Sequence, residues 1–117
     1  MTTFSRFAVR SRTTLMFALC VFGSAISTST PAADLDAGKA KAMSCAMCHG
    51  ANGISQMPGA PNLAGQQAIY VEQQLKHFRS GKRSNEIMGV IAKPLTDTEI
   101  SDLAAWYESI KVSVVER

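Results

Sequence analysis

The sequence lacks most of the features that mark large or membrane-spanning proteins. Its 117 residues contain three cysteines, two histidines and one tryptophan, with no internal repeat and no convincing strand pattern. No apolar run reaches the roughly 20 residues needed to cross a membrane. With so few cysteines, a framework of several disulfides is excluded. These absences predict a single small domain of the all-α class.

Outside its N-terminal segment, the chain has no excess of positive or negative charge. The formal net charge of +3 equals the contribution of Arg6, Arg10 and Arg12 near the start of the chain. The remaining basic and acidic residues balance, so the sequence gives no reason to expect binding to nucleic acid or to a membrane surface.

The first 32 residues have the three parts of a secretory signal. The three arginines are followed by the apolar segment Leu15–Ile26 and then by small and polar residues. We expect cleavage after Ala32 or Ala33, which gives a signal peptide over 1–32, a mature domain over 33–117 and a periplasmic location. The alternative is an N-terminal anchor that is not cleaved.

The most informative motif is Cys45-Ala46-Met47-Cys48-His49. Two cysteines three positions apart, followed directly by histidine, are the attachment signature of c-type haem. On a helical turn Cys45 and Cys48 share one face and can both form thioethers to a single haem, while His49 supplies an iron ligand. The alternatives are a zinc site, which needs a second pair of ligands, and a redox dithiol, which needs a βαβ context.

The rest of the mature chain predicts short helices joined by loops. Apolar spacing and capping residues indicate a first helix with Asp34 or Asp36 as its cap, a second helix ending at Gly81, and a last helix begun by a capping box. In chain order these segments are a helix over Ala37–Cys48, a loop over Gly50–Gly65, a helix over Gln67–Ser80, a loop over Lys82–Leu95, and a helix after Thr96-Asp97-Thr98-Glu99.

Several segments together resemble the class I cytochromes c. These are the haem motif, a Pro-Asn-Leu segment, a methionine in a late loop and a C-terminal LAAWY helix. The segments PNLAGQ (61–66), FRSGKR (78–83) and LTDTEISDLAAWY (95–107) are similar to one lobe of the two-haem cytochromes c4 and to their small single-haem relatives. The resemblance covers the mature chain and implies the class I cytochrome c fold, with short helices around one haem.

The resemblance also implies roles for individual residues. Met88 matches the second iron ligand, and the backbone carbonyl of Pro61 matches the acceptor of the histidine ring N–H. Gly38 and Trp106 match the close crossing of the first and last helices. For the second ligand, Met57, His77 and an open site are the alternatives.

A haem with histidine and methionine ligands favours an electron carrier, not an enzyme. We expect redox proteins as transient partners of a monomer: a quinol-oxidising complex or dehydrogenase as donor, and a terminal oxidase or reductase as acceptor. The alternatives are an electron-accepting subunit of a dehydrogenase, for example in sulfur oxidation, and a haem sensor or peroxidase if Met88 does not bind iron. The basic stretch Arg79–Arg83 is expected to complement the helix dipole; the alternatives are a docking patch and a propionate contact.

Overall fold

The structure, a computed structural model, describes residues 32–116. Within this range it contains α-helices and no strand, which confirms the all-α class. The helices are α1 (Leu35–Ala42), α2 (Ala46–His49), α3 (Ala68–Ser80), α4 (Glu86–Ala92) and α5 (Asp97–Ser109). Apart from Ala32, the predicted signal peptide lies outside the described residues, so its cleavage stays a prediction. None of the helices in the described range is long and apolar enough to cross a membrane.

The first predicted helix is interrupted. We expected one helix over Ala37–Cys48, but α1 ends at Ala42 and α2 begins at Ala46. Between them, the N–H groups of residues 43–45 donate to carbonyls three residues back, at 2.9–3.3 Å. The Ser44 hydroxyl also donates to the Lys41 carbonyl at 2.8 Å. This tighter turn and the competing side chain end the α-helical pattern just before the haem motif.

The first and last helices cross at Gly38, as the resemblance implied. A Cβ atom added there would lie 2.1 Å from the Asp102 carbonyl oxygen and 3.0 Å from the Trp106 Cβ, so only glycine allows this approach. The crossing is fixed at the start of α1 by Asp34. Its side chain caps α1, and its own N–H donates to the buried Asp102 carboxylate at 2.8 Å.

The main core lies where α5 packs against α1 and α3. It consists of Ala42, Val71, Leu103, Ala104 and Tyr107. The predicted bounds of α3 are confirmed within one residue, and α5 begins where its capping box predicted, because the signals at these points are strong. Gly81 ends α3 with a positive φ of 80°, and the capping box of Thr96 and Glu99 begins α5.

The predicted loop over Lys82–Leu95 is wrong, because α4 forms inside it. The side chain of Asn85 caps this helix by accepting the N–H groups of Ile87 and Met88 at 3.1 and 2.8 Å. Asparagine is a favoured cap, so the signal was present in the sequence. We did not predict α4, because it is only seven residues long and has Gly89, a poor helix former, in its middle.

Candidate functional site

The haem motif forms one compact turn at the edge of the core. The N–H groups of Cys48 and His49 both donate to the Cys45 carbonyl, at 3.2 and 3.0 Å. Cys45 packs against the core cluster, and both cysteines are half-buried free thiols. The backbone thus brings two thiols and one imidazole together within a single turn, which is the arrangement that the spacing predicted.

His49 is held in a defined orientation. The residue is 7% exposed, and its Nδ1 atom lies 2.8 Å from the Pro61 carbonyl oxygen. A carbonyl oxygen can only accept, so Nδ1 carries the proton and donates it. The other ring nitrogen, Nε2, is therefore the one with a free lone pair for a metal, as in other sites where a second partner fixes a ligating histidine.

The loop that carries Pro61 is itself fastened to the motif. The Ser55 hydroxyl donates to the Cys48 carbonyl at 2.8 Å, and the Ser55 N–H donates to the Asn62 side-chain oxygen at 2.8 Å. The N–H groups of Leu63 and Ala64 donate to the Gly53 carbonyl at 2.8 and 3.0 Å. Sequence reasoning did not assign a role to Ser55, because no local pattern shows that it returns to Cys48.

Tyr107 of α5 lies beside Cys45 of the attachment turn. Burial raises the pKa of its phenol above the usual range, and the neighbouring Cys45 sulfur raises it further through charge and a hydrogen bond. Once Cys45 is a thioether its charge contribution is lost, but the burial remains. Tyr107 is therefore a neutral side chain at neutral pH beside the first attachment sulfur.

The candidate second ligands lie in three different places. Met88 is half-buried on α4, with its N–H held by Asn85 at 2.8 Å. Met57 is 44% exposed in the loop that follows the motif. His77 is half-buried in the last turn of α3. Of these three residues, only Met88 has a backbone N–H that is bonded to the side chain capping its own helix.

The residues fit a covalently attached haem. Two thiols and one Nε2 are grouped in one turn, and Ile100 and Leu103 are the largest side chains that are fully buried in the described residues. Such a thin core is expected to need a further apolar group. On α4, Ile87 and Val90 are 61% and 72% exposed, so apolar surface remains for that group to cover.

The zinc alternative receives no support from the geometry. It requires three or more ligating side chains around one point. The described part of the chain contains no group of three or more His, Cys, Asp or Glu side chains placed to hold a metal ion.

Comparisons with known proteins agree with this description. The sequence profile of the family described as Cytochrome c matches residues 35–111. Cytochrome c4 from Pseudomonas aeruginosa is 42% identical over 83 residues, which cover 71% of this chain and 41% of that protein. Cytochrome c-554(548) from Halomonas halodenitrificans is 41% identical over 81 residues, which cover 67% of this chain and 98% of that protein.

Two further comparisons are with an electron acceptor protein and with a solved structure. A thiosulfate dehydrogenase electron acceptor from Stutzerimonas stutzeri is 49% identical over 70 residues, covering 59% of this chain and 32% of that protein. The crystal structure of reduced cytochrome c4 from Pseudomonas stutzeri matches with a TM-score of 0.65 and 36% identity, covering 71% of this chain and 48% of that one. The chain thus spans less than half of these two relatives, and the likeness confirms the predicted fold.

Proposed function

Because the chain belongs to the cytochrome c family, whose members bind covalently attached haem c, we propose that it carries single electrons between redox proteins in the periplasm. When bound, the haem iron supplies a one-electron couple between its ferric and ferrous states. The observation that carries the proposal is the bond of His49 Nδ1 to Pro61, which leaves Nε2 as the metal-binding nitrogen.

Each site residue has one part in this proposal. Cys45 and Cys48 would hold the haem through thioethers, and His49 would bind its iron from the attachment turn. Met88 would bind the iron from α4. Pro61 orients His49 through its carbonyl oxygen, and the bonds from Ser55 keep the Pro61 loop in place.

Ligation by histidine and methionine suits a carrier. The thioether sulfur of Met88 is soft and neutral, so it favours ferrous iron and raises the reduction potential. His49 and Met88 would together hold the iron and would exclude small molecules from it. The buried Tyr107 beside Cys45 is held neutral, so it supplies neither a base nor a charge at neutral pH.

The experiment is an absorption spectrum of the purified ferric holoprotein, followed by addition of carbon monoxide to the ferrous form. We expect a weak far-red band from sulfur bound to ferric iron and no spectral response to carbon monoxide. A missing band with rapid carbon monoxide binding would mean an open site, and would favour a sensor or a peroxidase over a carrier.

A second candidate function is an electron-accepting subunit held by a dehydrogenase. It is favoured by the 49% identity with the thiosulfate dehydrogenase electron acceptor. Gel filtration of the protein from its native source separates the two functions. A freely acting carrier elutes at the size of a single chain, whereas a subunit elutes with its enzyme and accepts electrons from it when thiosulfate is added.

A further inference from the structure

The basic stretch Arg79–Arg83 does more in the structure than complement the end of α3. Arg83 lies in the connection that leads into α4, and its side chain folds back onto α3. Its Nη1 donates to the Gln74 side-chain oxygen at 2.6 Å, and its guanidinium lies 4.7 Å from the centre of the Phe78 ring. The Arg83 N–H also donates to the His77 carbonyl at 3.1 Å. The entry to α4 is therefore bound to α3 through three contacts.

Arg79 makes the corresponding contacts on the exit side of α4. Its Nη1 donates to the Leu95 carbonyl at 2.8 Å, and its Nη2 donates to Asp97 Oδ1 at 2.5 Å. Leu95 lies between α4 and α5, and Asp97 begins α5. The Arg79 fork thus joins the end of α3 to the connection that leaves α4, through charge-assisted bonds of the stronger kind.

Little else in the described residues holds α4. Its packing partner is α3, and of its own residues only Ala92 is fully buried. Ile87, Val90 and Ile91 are 61%, 72% and 40% exposed. Against other protein residues α4 therefore buries little apolar surface, and Ile87 and Val90 are the residues that a bound haem would cover. The contacts that the protein itself supplies to fix α4 are its packing on α3 and the polar contacts at its two ends.

We propose that Arg79 and Arg83 are positioning residues for Met88, which hold the two ends of α4 so that the methionine sulfur stays in reach of the iron. This inference rests on the proposed ligation by Met88. The two arginines act through the backbone on either side of α4, and Asn85 transmits the constraint by capping the helix at Met88 itself.

The chain offers two matched controls. Lys82 lies between the two arginines and carries the same charge, but it makes no hydrogen bond or ion pair within residues 32–116. Lys41 forms an ion pair with Glu99 in the first turn of α5, as Arg79 does with Asp97, but it lies on α1. Lys82→Gln therefore controls for charge, and Lys41→Gln controls for loss of an ion pair at α5.

The test measures cyanide binding to the ferric holoprotein, because cyanide must displace the methionine before it can bind. We expect Arg79→Gln and Arg83→Gln to bind cyanide about three- to tenfold faster than the wild type. Lys82→Gln and Lys41→Gln should stay within about twofold. Arg79→Lys, which keeps the charge and can reach one acceptor, should recover part of the loss. Thermal unfolding of each variant separates loosening of α4 from global destabilisation.

Three results would overturn the inference: an Arg79→Gln rate within about twofold of the wild type, an equal increase in Lys82→Gln, or an equal increase in Lys41→Gln at matched thermal stability. If Arg79→Gln does not fold, the same comparison is made with Arg83→Gln. A wild type without the far-red band would instead contradict ligation by Met88. A wild type that has the band, with unaltered rates in both arginine variants, contradicts only the positioning role.

Discussion

The two sides of the haem site are held by different kinds of interaction. The attachment side, defined as α1, α2, α5 and the loop over 50–65, is held by buried side chains, a glycine crossing and a dense set of backbone hydrogen bonds. The methionine side, defined as residues 81–95, has one fully buried residue, Ala92, and is held by bonds from Arg79, Arg83 and Asn85. The first side depends on packing, and the second depends on polar contacts at its ends.

This difference separates stability from ligation. Loss of packing on the attachment side should lower the free energy of unfolding of the whole domain, because those contacts join most of the helices. Loss of a contact on the methionine side should open α4 locally and leave the rest folded, since segments with few buried apolar contacts open at low free energy.

The double variant Cys45→Ala/Cys48→Ala should have the largest effect. Ile100 and Leu103 are the largest fully buried side chains within residues 32–116, and so thin a core is not expected to fold without thioether-linked haem. Far-ultraviolet circular dichroism should show that most of the helical signal is lost. Met43→Ala, at an exposed position beside the motif, should keep that signal. Native-like helicity in the double variant would show that the attachment side is stable without haem.

Gly38→Ala should destabilise the whole domain. The added Cβ would lie 2.1 Å from the Asp102 carbonyl oxygen, so α1 and α5 must separate, at a cost of about 2 kcal/mol or more. The control is Gly81→Ala, which has open space and costs about 1 kcal/mol through its positive φ. Chemical denaturation measures both values. Equal losses in the two variants would count against a tight crossing at Gly38.

Removal of a helix cap should act differently on the two sides. Asn85→Ala and Thr96→Ala each remove one cap, at a cost of about 1 kcal/mol. We expect Asn85→Ala to speed cyanide binding by about fivefold, because the lost bonds include that to the Met88 N–H. Thr96→Ala should lower the thermal midpoint and leave the cyanide rate within about twofold. The reverse pattern would contradict the division between the two sides.

The smallest expected effect is on the acid side of the stability profile. The Arg79 guanidinium lowers the pKa of Asp97, first through its hydrogen bond and then through its charge. A lowered folded-state pKa means that this pair stabilises the fold above a pH of about 4 and that the contribution is lost as the pH falls. The thermal midpoint of Arg79→Gln should therefore fall less between pH 6 and pH 3 than that of the wild type. Parallel profiles would show that the pair contributes nothing.

Local signals predicted one side of the site better than the other. The haem motif, the end of α3 at Gly81 and the capping box at Thr96 each lie within a few residues, so sequence alone placed them correctly. The contact between His49 and Pro61 followed from the family resemblance, because nothing in the local sequence shows that the loop returns to the ring. The iron-binding roles of His49 and Met88 stay predictions.

The methionine side was harder to predict, because its structure depends on contacts between residues that are distant along the chain. We predicted a loop over Lys82–Leu95, since a glycine inside a seven-residue helix removes the usual apolar periodicity. We expected the basic stretch to complement the helix dipole, and Arg79 does lie in the last turn of α3. We did not foresee that Arg79 and Arg83 also bind partners 16 and nine residues away along the chain. Contacts of this kind depend on how α3, α4 and α5 pack together, and the apolar periodicity of the sequence does not predict them.

Met88 is the proposed second iron ligand, and a paired measurement on two methionine variants tests this proposal. The ferric far-red spectrum and the response of the ferrous form to carbon monoxide are recorded for Met88→Ala and, as a matched control, Met57→Ala. We expect Met88→Ala to lose the far-red band and to bind carbon monoxide, while Met57→Ala keeps the band and binds none. A Met88→Ala protein that retains the band, or a Met57→Ala protein that loses it, would contradict the account.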